Sequence, residues 1–151
     1  MALELAQIDA ALQTHGLALR AVLPVTDADC EQWGIAARSL VLVGNVGSAM
    51  WQHFSCSPQC ADGEPDPLDR WSRQVADTIC HKFAVRAIFP FSGPPWYPFQ
   101  QWAMRGEALA QSPLGLLIHP RYGLWHAYRF ALMLDQEFAM EQRTKSSSCI
   151  Q

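Results

Sequence analysis

No stretch of this sequence approaches the ~18 consecutive apolar residues that a membrane-crossing helix requires. Its opening, Met1-Ala2-Leu3-Glu4-Leu5-Ala6, lacks the basic region of a secretory signal. Positive charge is scarce too. Eleven Lys and Arg against 14 Asp and Glu leave a net charge of -3, which gives no electrostatic footprint for a phosphate backbone. Neither direct nucleic-acid binding nor membrane binding is expected, and a cytoplasmic location is. Five Cys (Cys30, Cys56, Cys60, Cys80, Cys149) are an odd number without a disulfide-framework spacing. They read as reduced thiols.

Several catalytic fingerprints are missing as well. There is no Ser-His-Asp ordering and no Gly-x-Ser-x-Gly elbow for a hydrolase. Gly44-Asn45-Val46-Gly47-Ser48 is glycine-rich, but it lacks the third Gly of the dinucleotide fingerprint and the Lys of a P-loop. A tight strand-to-helix turn is the better reading. His53, Cys56, Cys60, Cys80 and His81 could suggest a metal, yet they do not form the paired knuckles of structural zinc. Ordinary thiols account for them.

What is present describes one globular domain. Half of the 151 residues are apolar and 17% are charged, a balance that supports a substantial core and not a disordered chain. Six Trp, seven Phe and three Tyr serve a core first. They also suit a cleft for a large flat cofactor.

Apolar spacing at Leu5, Ile8 and Leu12 predicts a helix over 5–13, with Gly16 as its stop. Strands are expected over 17–25 and 38–46. The run Leu40-Val41-Leu42-Val43 is continuous, not alternating, so both faces of that strand should be covered. Residues 29–34 read as loop or one helical turn, 49–54 as a short helix, and the Pro- and Gly-rich stretch 55–67 as loop. Asp66-Pro67-Leu68-Asp69 opens a helix to about residue 82, with Asp66 as N-cap and Leu68, Val75, Ile79 and Phe83 inside. A strand over 83–91, a Pro-rich connection over 92–98 and a helix over 99–110 follow. A last helix is expected over 133–144. The fold class is α+β: a mixed, largely antiparallel sheet of about five strands with helices on its faces.

The most distinctive stretch runs from Leu116 to Leu134. Two arms rich in branched and aromatic residues flank His119-Pro120-Arg121-Tyr122-Gly123, where Pro120 fixes φ and Gly123 is free to take φ > 0. A hairpin of two paired strands is the expectation. On residues alone, His119 and Arg121 could simply satisfy the turn.

The segment Pro113-Leu114-Gly115-Leu116-Leu117-Ile118-His119-Pro120-Arg121-Tyr122-Gly123-Leu124-Trp125 resembles the motif of the cobalamin-processing family of methylmalonic aciduria and homocystinuria type C (cblC-like) proteins. It is also similar to the related segment of the epoxyqueuosine reductases. Weaker similarity runs from Ser39 through Val75 and includes Pro67-Leu68-Asp69-Arg70. The resemblance implies a nitroreductase- or flavoprotein-like fold holding cobalamin or another corrinoid, over residues 1–144. It implies that Pro113, Leu114 and Gly115, then His126, Ala127 and Tyr128, line the ligand, with Trp125 beside them. His119 would orient it, either through cobalt or through a corrin amide. Arg121, with its planar fork, would meet an amide or phosphate oxygen. Leu124 stands where the family has Gly, and the family's thiol-binding basic residues find no match, so the dealkylation reaction is not carried over.

Residues 145–151 read as a solvated tail. Within it, Cys149-Ile150-Gln151 matches the opening of the C-x₂-C-x₂-C-x₃-C-P iron–sulfur run. The epoxyqueuosine reductases carry such clusters after their corrinoid domain. Cys149 would be a 4Fe-4S ligand only if that motif continued, and an incidental thiol is the other reading. The implied protein is a corrinoid-binding domain of a redox protein, with a redox partner and a possible homodimer as its protein contacts. The alternatives are an FMN- or FAD-dependent reductase, with Trp96, Tyr97 and Trp125 stacking the isoalloxazine, and a non-catalytic interaction module.

Overall fold

A computed structural model of the chain describes residues 5–46, 48–91, 96–106, 110–111, 117–118 and 126–136. The first helix, α1 (Leu5–Gln13), buries Leu5, Ile8, Ala11 and Leu12 on one face. It stops at Gly16, whose φ of +78 and whose approach to α3 both require glycine: an added Cβ would lie 2.7 Å from the Ala49 carbonyl oxygen. Strand β1 (Ala18–Pro24) follows, then α2 (Asp27–Trp33), where only a loop or one turn was expected. The cause is a capping box that residue spacing alone underrated. Thr26 Oγ1 accepts from the Asp29 N–H, the Asp29 carboxylate accepts from the Thr26 N–H, and Gly34 closes the helix at φ 67.

The long strand β2 (Ser39–Val46) runs through Asn45 and Val46, so the expected turn at Gly44–Ser48 begins later. Two short helices, α3 (Ala49–Ser55) and α4 (Pro58–Ala61), precede α5 (Pro67–Phe83). Ser57, not a longer apolar pattern, starts α4 by accepting from the Cys60 N–H. Asp66 does occupy the N-cap position of α5, but at φ 52 and with no side-chain cap bond. Arg70 secures this entry instead, donating to both Asp62 carboxylate oxygens and to the Pro65 and Glu64 carbonyls. Its guanidinium holds the exposed Asp62 carboxyl at about 2.

Strand β3 (Arg86–Ile88) is shorter than the expected 83–91, because Phe83 completes α5 and Ala84 leaves the helix at φ 55. Phe89 packs on Phe91 and on Phe130 beyond the strand. Helix α6 (Phe99–Gly106) ends before Ala110, which belongs to β4 (Ala110–Gln111). Strands β5 (Leu117–Ile118) and β6 (His126–Leu134) complete the described elements.

The main sheet has the order β1-β2-β6-β3 and is antiparallel throughout. Four strands form it among the described residues, where about five in a mixed sheet were expected; β4 and β5 pair as a separate ribbon. The expected pairing of the 116–118 arm with the 124–134 arm is not the one described. Leu117 and Ile118 pair with Gln111 and Ala110, while β6 lies between β2 and β3. A strand as apolar as Phe130-Ala131-Leu132-Met133-Leu134 gains most from two neighbours and two covered faces. That strand also claims Met133 and Leu134, which a final helix was expected to start, and Asp135 and Gln136 follow it as a bend; residues 137–151 lie outside the described residues.

Helices cover both faces, as the continuous Leu40–Val43 run predicts. On one face α1, α3 and α5 pack against Leu19, Val41, Val43, Phe130, Leu132 and Leu134. On the other, α6 and the chain around Ile35 pack against Ala21, Leu23, Leu40, Leu42 and Ala131. Each fully buried Leu, Val or Phe contributes about 1.5–3 kcal/mol by leaving water.

Candidate functional site

Two β-bulges shape one end of the sheet. Leu19 pairs with Val43 and Ala21 with Leu42, so Arg20 is the extra residue of β1. Val43 pairs with Phe130 and Gly44 with Tyr128, so Arg129 is the extra residue of β6. Each bulge therefore introduces an arginine into an apolar strand beside β2, and bulges commonly re-aim side chains next to sites.

Arg20 is 3% exposed. It donates to the Asn45 carbonyl oxygen at 3.2 Å and lies over the Tyr128 ring, 4.9 Å from its centroid. Tyr128 packs with the α6-side core, and its partner Gly44 faces the same way. Asn45, one residue on, consequently faces the α5 side, along with Val43.

On that α5 side three buried polar atoms lack a hydrogen-bond partner among the described residues: Asn45 Oδ1, Arg129 Nε and Ser72 Oγ. Ser72 is fully buried on the inner face of α5. Burial pushes the pKa of the Arg129 guanidinium down, and the charge of Asp69 on the first turn of α5 offsets part of that. Orphans of this kind each cost about 1–3 kcal/mol and call for an explanation.

The sequence-predicted residues His126, Ala127 and Tyr128 begin β6 at this same end, paired with Val46, Asn45 and Gly44. Pro113, Leu114, Gly115, His119, Arg121, Trp125 and Cys149 lie outside the described residues. Of the proposed isoalloxazine-stacking rings, Trp96 is 61% exposed. Tyr97 is already stacked on Trp102 at 6.1 Å and tilted against Trp33 at 6.3 Å, so the core uses it.

Arg20, Arg129, Asn45 and Ser72 escaped the sequence reading. The signal was there: Leu19-Arg20-Ala21 and Tyr128-Arg129-Phe130 each set a single arginine inside an otherwise apolar strand. No group of three or more His, Cys, Asp or Glu side chains gathers to hold a metal among the described residues. Cys30, Cys56 and Cys60 are exposed thiols, and burial with the Asp77 charge pushes Cys80 up to about 11. Among the described residues no helix is long and apolar enough to cross a membrane. No protein-family model matches the chain, and no curated protein matches it.

Proposed function

We propose that this chain is a corrinoid-binding domain of a redox protein, on a nitroreductase-like variant of its antiparallel α+β fold. The observation that carries the reading is continuity: the Pro113–Trp125 motif leads directly into β6, whose first residues pair beside Asn45 and the Arg129 bulge. A corrin ring is edged with carboxamides, and each carries an acceptor oxygen and donor hydrogens. Arg129 Nε–H and Asn45 Oδ1 are one donor and one acceptor at that end, both buried and without a hydrogen-bond partner among the described residues.

A bound corrinoid supplies a redox-active cobalt; the protein supplies binding and orientation. In this reading His126, Ala127 and Tyr128 line the ring with Pro113, Leu114 and Gly115. His119 and Arg121 hold its periphery, and Trp125 shields it from water. The electron source is an iron–sulfur partner or segment, to which Cys149 would belong.

The test mixes purified protein with aquacobalamin, with cob(II)alamin and, separately, with FMN, and passes each mixture over a sizing column. The expected result is a changed corrinoid spectrum that co-elutes with protein. Free elution of corrinoid in both oxidation states contradicts the reading, and co-elution of FMN alone transfers it to a flavin reductase.

A further inference from the structure

A cleft of about 340 Å³ lies between the turn from α5 into β3 and the exit of β6, at the end of β6 opposite His126. Backbone bonds fix both of its walls. As the chain leaves α5, with Ala84 at φ 55, the Ala84 and Val85 N–H groups both donate to the Cys80 carbonyl. On the β6 side, Arg38 N–H donates to the Leu134 carbonyl at 2.8 Å, and Ser39 Oγ to the Gln136 carbonyl at 2.7 Å. Asp135 is thus held between two anchored carbonyls. Arg86 and Asp135 both line the cleft and are exposed, yet they do not pair with each other. Arg86 Nη2 donates to the Ala36 carbonyl at 2.7 Å, which steadies the guanidinium while Nε and Nη1 keep their donors. The Asp135 side chain makes no hydrogen bond or ion pair among the described residues. Half-buried Phe83, Val85 and Met133 supply an apolar wall beside these two charges.

We propose that this cleft binds a small zwitterion, a free α-amino acid with an apolar side chain. Its carboxylate meets the Arg86 guanidinium, its ammonium meets Asp135, and its side chain lies against Phe83, Val85 and Met133. Opposite charges that line one cavity without closing on each other match a ligand that carries both. A simple anion would meet Asp135 as a like charge, and a simple cation would meet Arg86. Size fits as well, since small-molecule sites occupy roughly 300–1,000 Å³. The inference stands apart from the corrinoid reading, because the cleft and the His126–Tyr128 site lie at opposite ends of β6.

The experiment follows the Met133 methyl resonance and the Arg86 and Asp135 backbone amides of the whole chain during titration with leucine. Isocaproate and isoamylamine, which keep the side chain but only one charge each, are controls. Glycine, which keeps both charges without the side chain, is the third. The expected outcome is saturable leucine binding with a Kd on the order of 1 mM. Each control should bind about fivefold more weakly. Asp135→Asn should weaken leucine about fivefold without weakening isocaproate, and Arg86→Gln should weaken leucine without weakening isoamylamine. Asp135→Asn should leave the melting temperature near that of the unaltered chain, since its side chain holds nothing among the described residues. Absence of saturation by leucine overturns the proposal, and so does any control that binds as tightly as leucine. Leucine binding that either substitution leaves unchanged overturns it too.

Discussion

Two buried polar clusters flank the sheet, and they are built on opposite principles. At Asp29, on the α6 side, every bond is made. The carboxylate is 7% exposed and accepts from Trp102 Nε1 at 3.2 Å, from Arg105 at 2.9 Å and from the Thr26 N–H at 3.0 Å. Burial alone would raise its pKa, but the Thr26 N–H, Arg105 and Trp102 outweigh that and hold it below its ordinary value. At Asn45, Arg129 and Ser72, on the α5 side, three buried polar atoms have no hydrogen-bond partner among the described residues. A satisfied cluster fastens helices to a sheet. An open one costs stability, and cost of that kind is concentrated where something binds.

The largest expected effect is at the closed cluster. Asp29→Ala should destabilise by about 2–4 kcal/mol, because it strands the buried Trp102 N–H, removes half of a capping box and ends the ion pair to the half-exposed Arg105, which keeps the Pro24 carbonyl. Denaturant unfolding measures it, and a loss under about 1 kcal/mol would erase the contrast between the clusters. Trp102→Phe keeps an aromatic ring but deletes the indole N–H and leaves a small cavity, and should cost about 1–3 kcal/mol by the same measurement.

At the open cluster the sign should reverse. Arg129→Met removes an incompletely compensated buried cation while retaining an unbranched stem, and should raise stability by about 1 kcal/mol. Ser72→Ala removes a buried hydroxyl that also lacks a partner among the described residues and should likewise stabilise, by about 1 kcal/mol. A loss of stability would mean that Ser72 is satisfied after all.

The smallest effect is pH-dependent. Asp29 has a folded pKa below its ordinary value, so its contribution is present in full above its unfolded value and disappears as pH falls through the folded one. Melting curves between pH 5 and 2 should fall more steeply for the unaltered chain than for Asp29→Asn, whose baseline is lower but flatter in that window.

How much of this was legible follows from where the physics is local. The helix at 5–13 and the buried strand at Leu40–Val43 express periodicity, and periodicity is written in the chain. Helix α2 was underrated because its stability comes from a reciprocal bond between Thr26 and Asp29, and from Asp29 reaching Trp102 73 residues away. Strand pairing was harder still: the apolar arms at 117–118 and 126–134 read as mutual partners, yet each found a different neighbour. Of the candidate site, the sequence motif pointed to the start of β6. It did not reveal the bulges, because an extra residue is defined only against the strand opposite.

The most direct measurement of the central claim combines stability and binding in Arg129→Met. Melting temperature without ligand and affinity for cob(II)alamin are determined on the same preparation. If the open cluster exists for a corrinoid, the variant melts higher than the unaltered chain and binds the corrinoid about tenfold more weakly, the effect of one lost charged hydrogen bond. A variant that melts lower while binding cob(II)alamin equally well would make Arg129 a structural residue and contradict the account.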